Sequence, residues 1–160
     1  MKIETPPFDA IAGQSNPFTG FGQILPNSVE LEEQFQKEAA SAKHRLKECF
    51  RAVLADPREI PNELDKIITD MWNSGWDPQS GNVNLFTRDF GCVLTMSILD
   101  SLGGSLLFRS TEDVSHLSIF WVAAKFEAFP FHKVLKCLYN RQGETIVGFT
   151  DGIAKAARKS

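Results

Sequence analysis

The chain has 160 residues, of which 42% are hydrophobic and 23% are charged, a composition typical of one globular domain. Its net charge of −3 argues against a nucleic-acid partner, because a face that binds nucleic acid is expected to be basic. No stretch reaches the roughly 18 apolar residues of a membrane helix, and the N-terminus lacks the apolar core of a signal peptide. We therefore expect no membrane span and a cytoplasmic location.

The N-terminal region differs in composition from the rest of the chain. Residues 1–27 are rich in Pro, Gly, Asn and Phe and show no sustained hydrophobic period, which predicts an irregular N-terminal arm. Residues 28–160 contain successive periodic segments without an internal repeat, so we expect them to form a single domain.

The first predicted helix begins near Asn27 or Ser28 and continues to about Ala55. Apolar side chains recur at steps of three or four residues along one of its faces, as in an amphipathic helix. These are Leu31, Phe35, Ala39, Ala42, Leu46, Cys49, Phe50 and Val53. Pro57 ends the pattern, because proline disfavours helical geometry at the residue before it.

The second predicted helix begins near Pro61, a residue favoured in the first turn of a helix. Its apolar face consists of Leu64, Ile67, Ile68, Met71, Trp72 and Trp76. Gly75 suggests a C-terminal cap, and residues 77–82 have the composition of a loop.

The third predicted helix extends from about Leu85 to Leu102 and ends at two glycines. Its core face consists of Phe86, Phe90, Val93, Leu94, Ile98 and Leu102. Arg88 and Asp89 lie near its start, and we interpret each of them as a member of a local ion pair rather than as a binding residue.

Two short apolar segments follow, Leu106–Arg109 and Ser118–Ala123, and they predict a small antiparallel sheet or a hairpin. A fourth helix begins at Pro130 and ends by Gly143. Its inward side chains are expected to be Val134, Leu135, Leu138 and Tyr139. The spacing within residues 144–158 favours a last helix, with a strand as the alternative. The predicted fold is therefore α+β, mostly helical, with the sheet or hairpin between helices.

Cysteine and histidine are scattered along the chain. Cys49, Cys92 and Cys137 are odd in number and form no CxxC motif, so we expect core side chains and no disulfide. The three histidines are His44, His116 and His132. None of them has the spacing of a metal site, so the sequence predicts no metal and no cofactor.

No catalytic motif is recognisable in the sequence. The segment around Gly103-Gly104 is not a GxSxG elbow, and the glycines between residues 13 and 22 lack the lysine of a P-loop. We therefore assign no catalytic residue and favour a protein without enzymatic activity.

Two features are suited to protein recognition. The acidic residues of the first helix, Glu32 and Glu33 among them, form either a docking surface for a basic partner or a solvated helix start. Trp76 with Asp77 forms either an interface anchor or a part of the core. The candidate partner-binding residues are therefore Glu32, Glu33, Trp76 and Asp77.

One region resembles a group of small, uncharacterised bacterial domains. The resemblance covers residues 85–149 and depends on apolar, Gly and Pro positions. The matching segments are Phe86–Leu94, Leu102-Gly103-Gly104, Phe120-Trp121 and Phe129–Lys136. Some of these domains are found in toxin–immunity or secretion neighbourhoods, which implies a protein-binding role and no particular catalytic residue.

Three functions remain open. The first is an immunity protein that neutralises a cognate toxin by occlusion, and the second is a secretion chaperone or adaptor for an effector. The third is an enzyme with a dispersed site. The first two imply one protein partner, no nucleic acid and no membrane, and they allow a homodimer.

Overall fold

A computed structural model describes residues 24–25, 29–80, 82–109, 117–140 and 143–158. The helices are α1 (Val29–Phe50), α2 (Ile60–Asn73), α3 (Val83–Leu102), α4 (Pro130–Tyr139) and α5 (Ile146–Ala157). The strands are β1 (Ile24–Leu25), β2 (Ser105–Arg109), β3 (Ser118–Trp121) and β4 (Phe126–Ala128), and Pro78–Ser80 form a short 3-10 turn. This order confirms the predicted α+β fold, mostly helical, with a small antiparallel sheet.

Helix α3 is the centre of the fold. It is buried on nearly every side between residues 89 and 98, and α1 and α4 make its most extensive contacts. Gly91 permits the close approach of α4, because a Cβ at this position would lie 2.2 Å from Cδ1 of Phe131. Phe131 is itself fully buried, so its ring occupies the space that the glycine leaves.

The four strands form one antiparallel sheet in the order β1-β2-β3-β4. Ile119 lies opposite Leu106 on one side and Ala128 on the other. The sheet joins α3 closely, because the indole N–H of Trp121 donates to the carbonyl of Leu102 at 3.1 Å. Strand β4 was not predicted, because its three residues are too few to show a period.

Helix α1 ends earlier than predicted, at Phe50 rather than Ala55. Arg51 adopts a left-handed conformation with φ 54°, and its N–H donates to the carbonyl of Lys47 at 3.0 Å, which closes the helix with a C-terminal cap. The prediction that Cys49 is a core side chain is wrong, because Phe50 takes the last inward position and Cys49 is exposed.

Helix α2 ends in the cap that its sequence predicts. Gly75 has φ 89°, and its N–H donates to the carbonyl of Trp72 at 3.1 Å. The N–H of Trp76 donates to the carbonyl of Met71 at 3.0 Å, which completes a Schellman motif. This cap directs the chain so that the Trp76 ring returns to the end of α2.

The C-terminal part contains one correction and one confirmation. Tyr139 is 47% exposed rather than inward, because α4 ends at this residue. Residues 146–157 form helix α5 and not a strand. Asp65 on α2 holds the start of α5, because its two carboxylate oxygens accept N–H groups from the first turn of α5. The N–H of Ile146 donates at 2.7 Å and that of Val147 at 2.9 Å.

The predicted N-terminal arm lies mostly outside the described residues. Only Ile24–Leu25 of residues 1–27 are described, and they pair with β2. His116 also lies outside the described residues.

Candidate functional site

The first candidate is a cleft on one flank of α1, which we call the α1–α3 groove. It has a volume of about 430 Å³ and is lined by Lys37, Glu38, Ser41, Arg45, Leu85, Arg88 and Cys92. Helical spacing produces this lining, since the residues from α1 include steps of four and those from α3 steps of three and four. Charged side chains of both helices therefore meet above the core.

Arg45 and Asp89 connect the two helices across the groove. The Arg45 Nε donates to Oδ2 of Asp89 at 2.8 Å, and its Nη2 donates to Oδ1 at 2.6 Å. The Asp89 side chain is only 6% exposed, whereas that of Arg45 is 46% exposed. The hydrogen bond to Asp89 raises the pKa of Arg45, so the guanidinium stays charged. The pair therefore fixes an arginine whose outer half faces solvent.

Arg88 and Glu38 form a second pair between the helices. The Arg88 Nη2 donates to Oε1 of Glu38 at 2.9 Å. The other oxygen of Glu38, Oε2, is buried and accepts no hydrogen bond from the described residues. A buried acceptor without a donor costs about 1–3 kcal/mol, but a ligand cannot reach a covered atom, so Glu38 takes part in the groove through its bond with Arg88.

The thiol of Cys92 in the groove is unsuited to nucleophilic chemistry. Burial raises its pKa to about 12, so the thiol is protonated at neutral pH. Burial also raises the pKa of Cys137 to about 12. The groove therefore offers hydrogen-bond donors and apolar surface, which are the elements of recognition rather than of covalent catalysis.

The second candidate consists of Trp76 and Asp77, which we call the Trp76 corner. The Trp76 ring is partly exposed and makes edge-on contacts with Trp72 at 5.5 Å and with Phe86 at 5.8 Å between ring centroids. Asp77 is exposed, and its Oδ1 accepts the N–H of Gln79 at 2.9 Å. The corner is thus held in place by edge-on ring contacts on one side and by a turn on the other.

The structure does not bring the predicted acidic residues to this corner. Glu32 and Glu33 lie in the first turns of α1, whereas the ring of Phe50 at the other end of α1 contacts Phe86 below Trp76. Glu33 and Phe50 are 17 positions apart, which corresponds to about 25 Å along the helix axis. The four predicted partner-binding residues therefore belong to two separate surfaces.

A buried polar pair lies on the sheet. The Ser118 hydroxyl donates to Oε2 of Glu127, and the two residues are 0% and 9% exposed. They alternate with Ile119 and Ala128, which belong to the main core. A substrate cannot reach a serine that is fully covered, so this pair is not a candidate catalytic site.

Metal-binding groups do not gather in the described part of the chain. Within those residues, no three His, Cys, Asp or Glu side chains lie close enough together to hold an ion. His44 is exposed and lies 3.5 Å from Glu48, one turn further along α1. None of the described helices has the length and apolar character that crossing a membrane requires.

Comparisons of the chain with protein-family models, curated proteins and solved structures found no match.

Sequence reasoning missed the pairs that form the groove. The prediction of a local ion pair for Asp89 is wrong, because its partner is Arg45, 44 residues earlier. One signal was available, because a carboxylate one residue before Phe90, in the apolar part of a helix, requires a cationic partner when it is buried. The sequence did not indicate which of the basic residues would supply it.

Proposed function

We propose that this chain is a protein-binding module without catalytic activity, and that it acts in the cytoplasm as an immunity protein. The observation that carries the proposal is the Trp76 ring, which is partly exposed although two other aromatic rings hold it in place. Tryptophan is enriched among the residues that dominate binding energy at protein interfaces. A ring that is already fixed loses little conformational entropy when a partner covers it.

The acidic start of α1 supports a partner with a basic surface. Glu30 and Glu33 are exposed there, and Glu32 is partly exposed. Glu38 does not belong to this surface, because its carboxylate pairs with Arg88. Acidic residues this far from the Trp76 corner would mainly raise the association rate. Long-range attraction guides the partner toward the surface, but it has little effect on the dissociation rate of the complex.

An immunity role is the more specific part of the proposal. It is supported by the resemblance of residues 85–149 to small bacterial domains, some of which are found in toxin–immunity or secretion neighbourhoods. Occlusion would require about 800 Å² of surface on this chain, and the surface around the Trp76 corner would form the centre of that contact. The mechanism requires no reacting group, because covering the toxin's active surface is sufficient.

The test begins with affinity capture from the native host, followed by co-expression with the recovered partner and binding kinetics. Trp76→Ala is expected to speed dissociation at least tenfold, corresponding to about 1.4 kcal/mol. Trp76→Phe keeps an aromatic ring against Phe86, so its dissociation rate should lie between those of the unmodified chain and of Trp76→Ala. The matched control is Val122→Ala, because Val122 is 45% exposed at a turn outside this corner.

The acidic surface is tested separately in the same assay. Glu32→Lys with Glu33→Lys should slow association and flatten its salt dependence, with a smaller effect on dissociation. For the immunity role, co-expression must restore growth to cells that carry the partner. Failure to recover a partner, together with turnover of a small molecule that one Cys, His or Asp substitution abolishes, would replace the proposal with an enzyme.

A further inference from the structure

We propose that the α1–α3 groove binds an acidic peptide segment, in which a carboxylate contacts Arg45 and Arg88 and a neighbouring apolar side chain packs on Leu85. The inference rests on the proposed function in one respect, because it assigns this segment to the protein partner. It concerns a different surface from the Trp76 corner, and its test uses peptides of defined sequence.

The charges of the groove favour a carboxylate. Three cationic side chains line it or its rim, those of Lys37, Arg45 and Arg88, against two carboxylates. Both carboxylates are already paired, because Asp89 binds Arg45 through both oxygens and Glu38 binds Arg88. The groove therefore has one net positive charge and an excess of N–H donors over acceptors.

The arginines retain donors for a ligand. The bonds to Asp89 use Nε and Nη2 of Arg45, and the bond to Glu38 uses Nη2 of Arg88. Nη1 of each guanidinium is not used by these pairs, and the side chains are 46% and 52% exposed. Because each arginine is already held by a carboxylate of the facing helix, a ligand does not have to order it.

Leu85 provides the apolar contact. It is 53% exposed, and it lies on the same face of α3 as Arg88 because it precedes Arg88 by three residues. A volume of about 430 Å³ is enough for one or two side chains of a peptide. An acidic residue beside an apolar one would thus place each side chain against its complement.

A peptide fits the groove better than a phosphate group does. A peptide brings an apolar side chain beside its carboxylate, and Leu85, which is 53% exposed, offers the surface on which that side chain packs. Inorganic phosphate and the phosphates of a nucleic-acid backbone bring negative charge but no apolar side chain for Leu85, which lines the groove. The proposed ligand is therefore a peptide in which a carboxylate lies beside an apolar side chain.

The experiment is an amide NMR titration of the full chain with acetyl-Glu-Leu-Leu-Glu-amide, compared with acetyl-Gln-Leu-Leu-Gln-amide. We expect saturable shifts confined to residues 37–45 and 85–92 with the acidic peptide, and at least fivefold weaker binding of the Gln peptide. Arg88→Gln and Leu85→Ser should each weaken the acidic peptide at least threefold.

Arg45 requires a paired substitution, since its loss alone leaves Asp89 buried without a cation. Arg45→Gln with Asp89→Asn keeps the net charge and should also weaken binding at least threefold. The control is Trp76→Ala, which should bind the peptide as the unmodified chain does. This control also separates the two proposals. The groove can fail to bind the peptide while the Trp76 corner still binds a partner, and the groove can bind the peptide while the Trp76 corner binds no partner.

Three results would overturn the inference. The first is the absence of saturable shifts at the groove, and the second is equal binding of the Gln peptide. The third is that inorganic phosphate produces the same shifts at the same residues with comparable affinity, which would assign the groove to phosphate groups instead.

Discussion

The guanidinium of Arg45 on α1 and the carboxylate of Asp89 on α3 form a two-point ion pair, with bonds of 2.8 and 2.6 Å. Asp89 is buried directly before Phe90, so this pair places a charge at the edge of the core. It fixes how α1 lies on the central helix, because both bonds have to be made at one relative position of the two helices.

Removing the arginine is expected to cost more than removing both charges. Arg45→Met should lower the free energy of unfolding by about 2–4 kcal/mol, because it leaves the Asp89 carboxylate buried and unpaired. The expected loss is smaller than for a fully buried pair, because the Arg45 side chain is partly exposed. Arg45→Met with Asp89→Leu should recover most of this loss. Urea denaturation measures both values, and the control is Arg88→Met, whose more exposed pair should cost at most about 1 kcal/mol. Equal losses at the two arginines would show that burial of Asp89 is not important.

Gly91 tests the packing of α4 on α3. Gly91→Ala should destabilise the protein by about 1–3 kcal/mol, because the new Cβ would overlap the ring of Phe131. Gly152→Ala is the matched control, since α5 leaves open space at this position and alanine is the better helix former. It should stabilise by about 0.4–1 kcal/mol. Thermal melts of both variants decide the point, and a neutral Gly91→Ala would contradict the close approach.

The sequence predicted the elements of this fold better than their ends. Each helix has an apolar period, and Gly75 correctly marked the cap of α2. The end of α1 was missed because Arg51 takes a left-handed conformation that its side chain gives no reason to expect. Strand β4 was missed because Phe126–Ala128 are held by pairing with β3, which is a tertiary contact and not a local pattern.

The candidate sites were less accessible to sequence reasoning. The place of Trp76 could be predicted, because this residue directly follows the cap of α2 at Gly75, and the cap is a local feature of the sequence. The groove could not be predicted from the sequence, because it forms between residues of α1 and α3 that are distant along the chain. Arg45 and Asp89 are 44 residues apart, and Glu38 and Arg88 are 50 residues apart. Their meeting depends on the packing angle of two helices, which the hydrophobic period of each helix alone does not determine.

The three cysteines should differ in reactivity. Cys49 is exposed on α1, whereas Cys92 and Cys137 are buried with their pKa raised to about 12. Under native conditions at pH 8, a thiol reagent such as dithionitrobenzoate should label one thiol per chain quickly, and mass spectrometry should locate the label on Cys49. The other two should react only after denaturation. Rapid labelling of a second thiol in the native protein, or of the variant Cys49→Ser, would contradict the packing around α3 and α4.

The attachment of α5 should weaken in acid. Lys133 on α4 forms an ion pair with Glu144, immediately before α5, and the hydrogen bond from Lys133 lowers the pKa of this carboxyl below its ordinary value of 4.5. A carboxyl whose pKa is lower in the folded state stabilises the protein at pH values above the unfolded-state pKa. Its contribution is lost as the pH falls through the folded-state pKa.

Glu144→Gln should therefore destabilise the protein at pH 7. The stability difference between the variant and the unmodified chain should begin to shrink as the pH falls below about 4.5, and it should vanish once the pH is below the folded-state pKa. Denaturation curves at several pH values measure this difference, and carbon-13 NMR of the side-chain carboxyl measures the pKa itself. The matched control is Asp151→Asn, which removes an exposed carboxylate from α5 without touching Lys133. A difference for Glu144→Gln that is constant from pH 2.5 to 7 would show that the ion pair contributes nothing, and that the variant acts by another route.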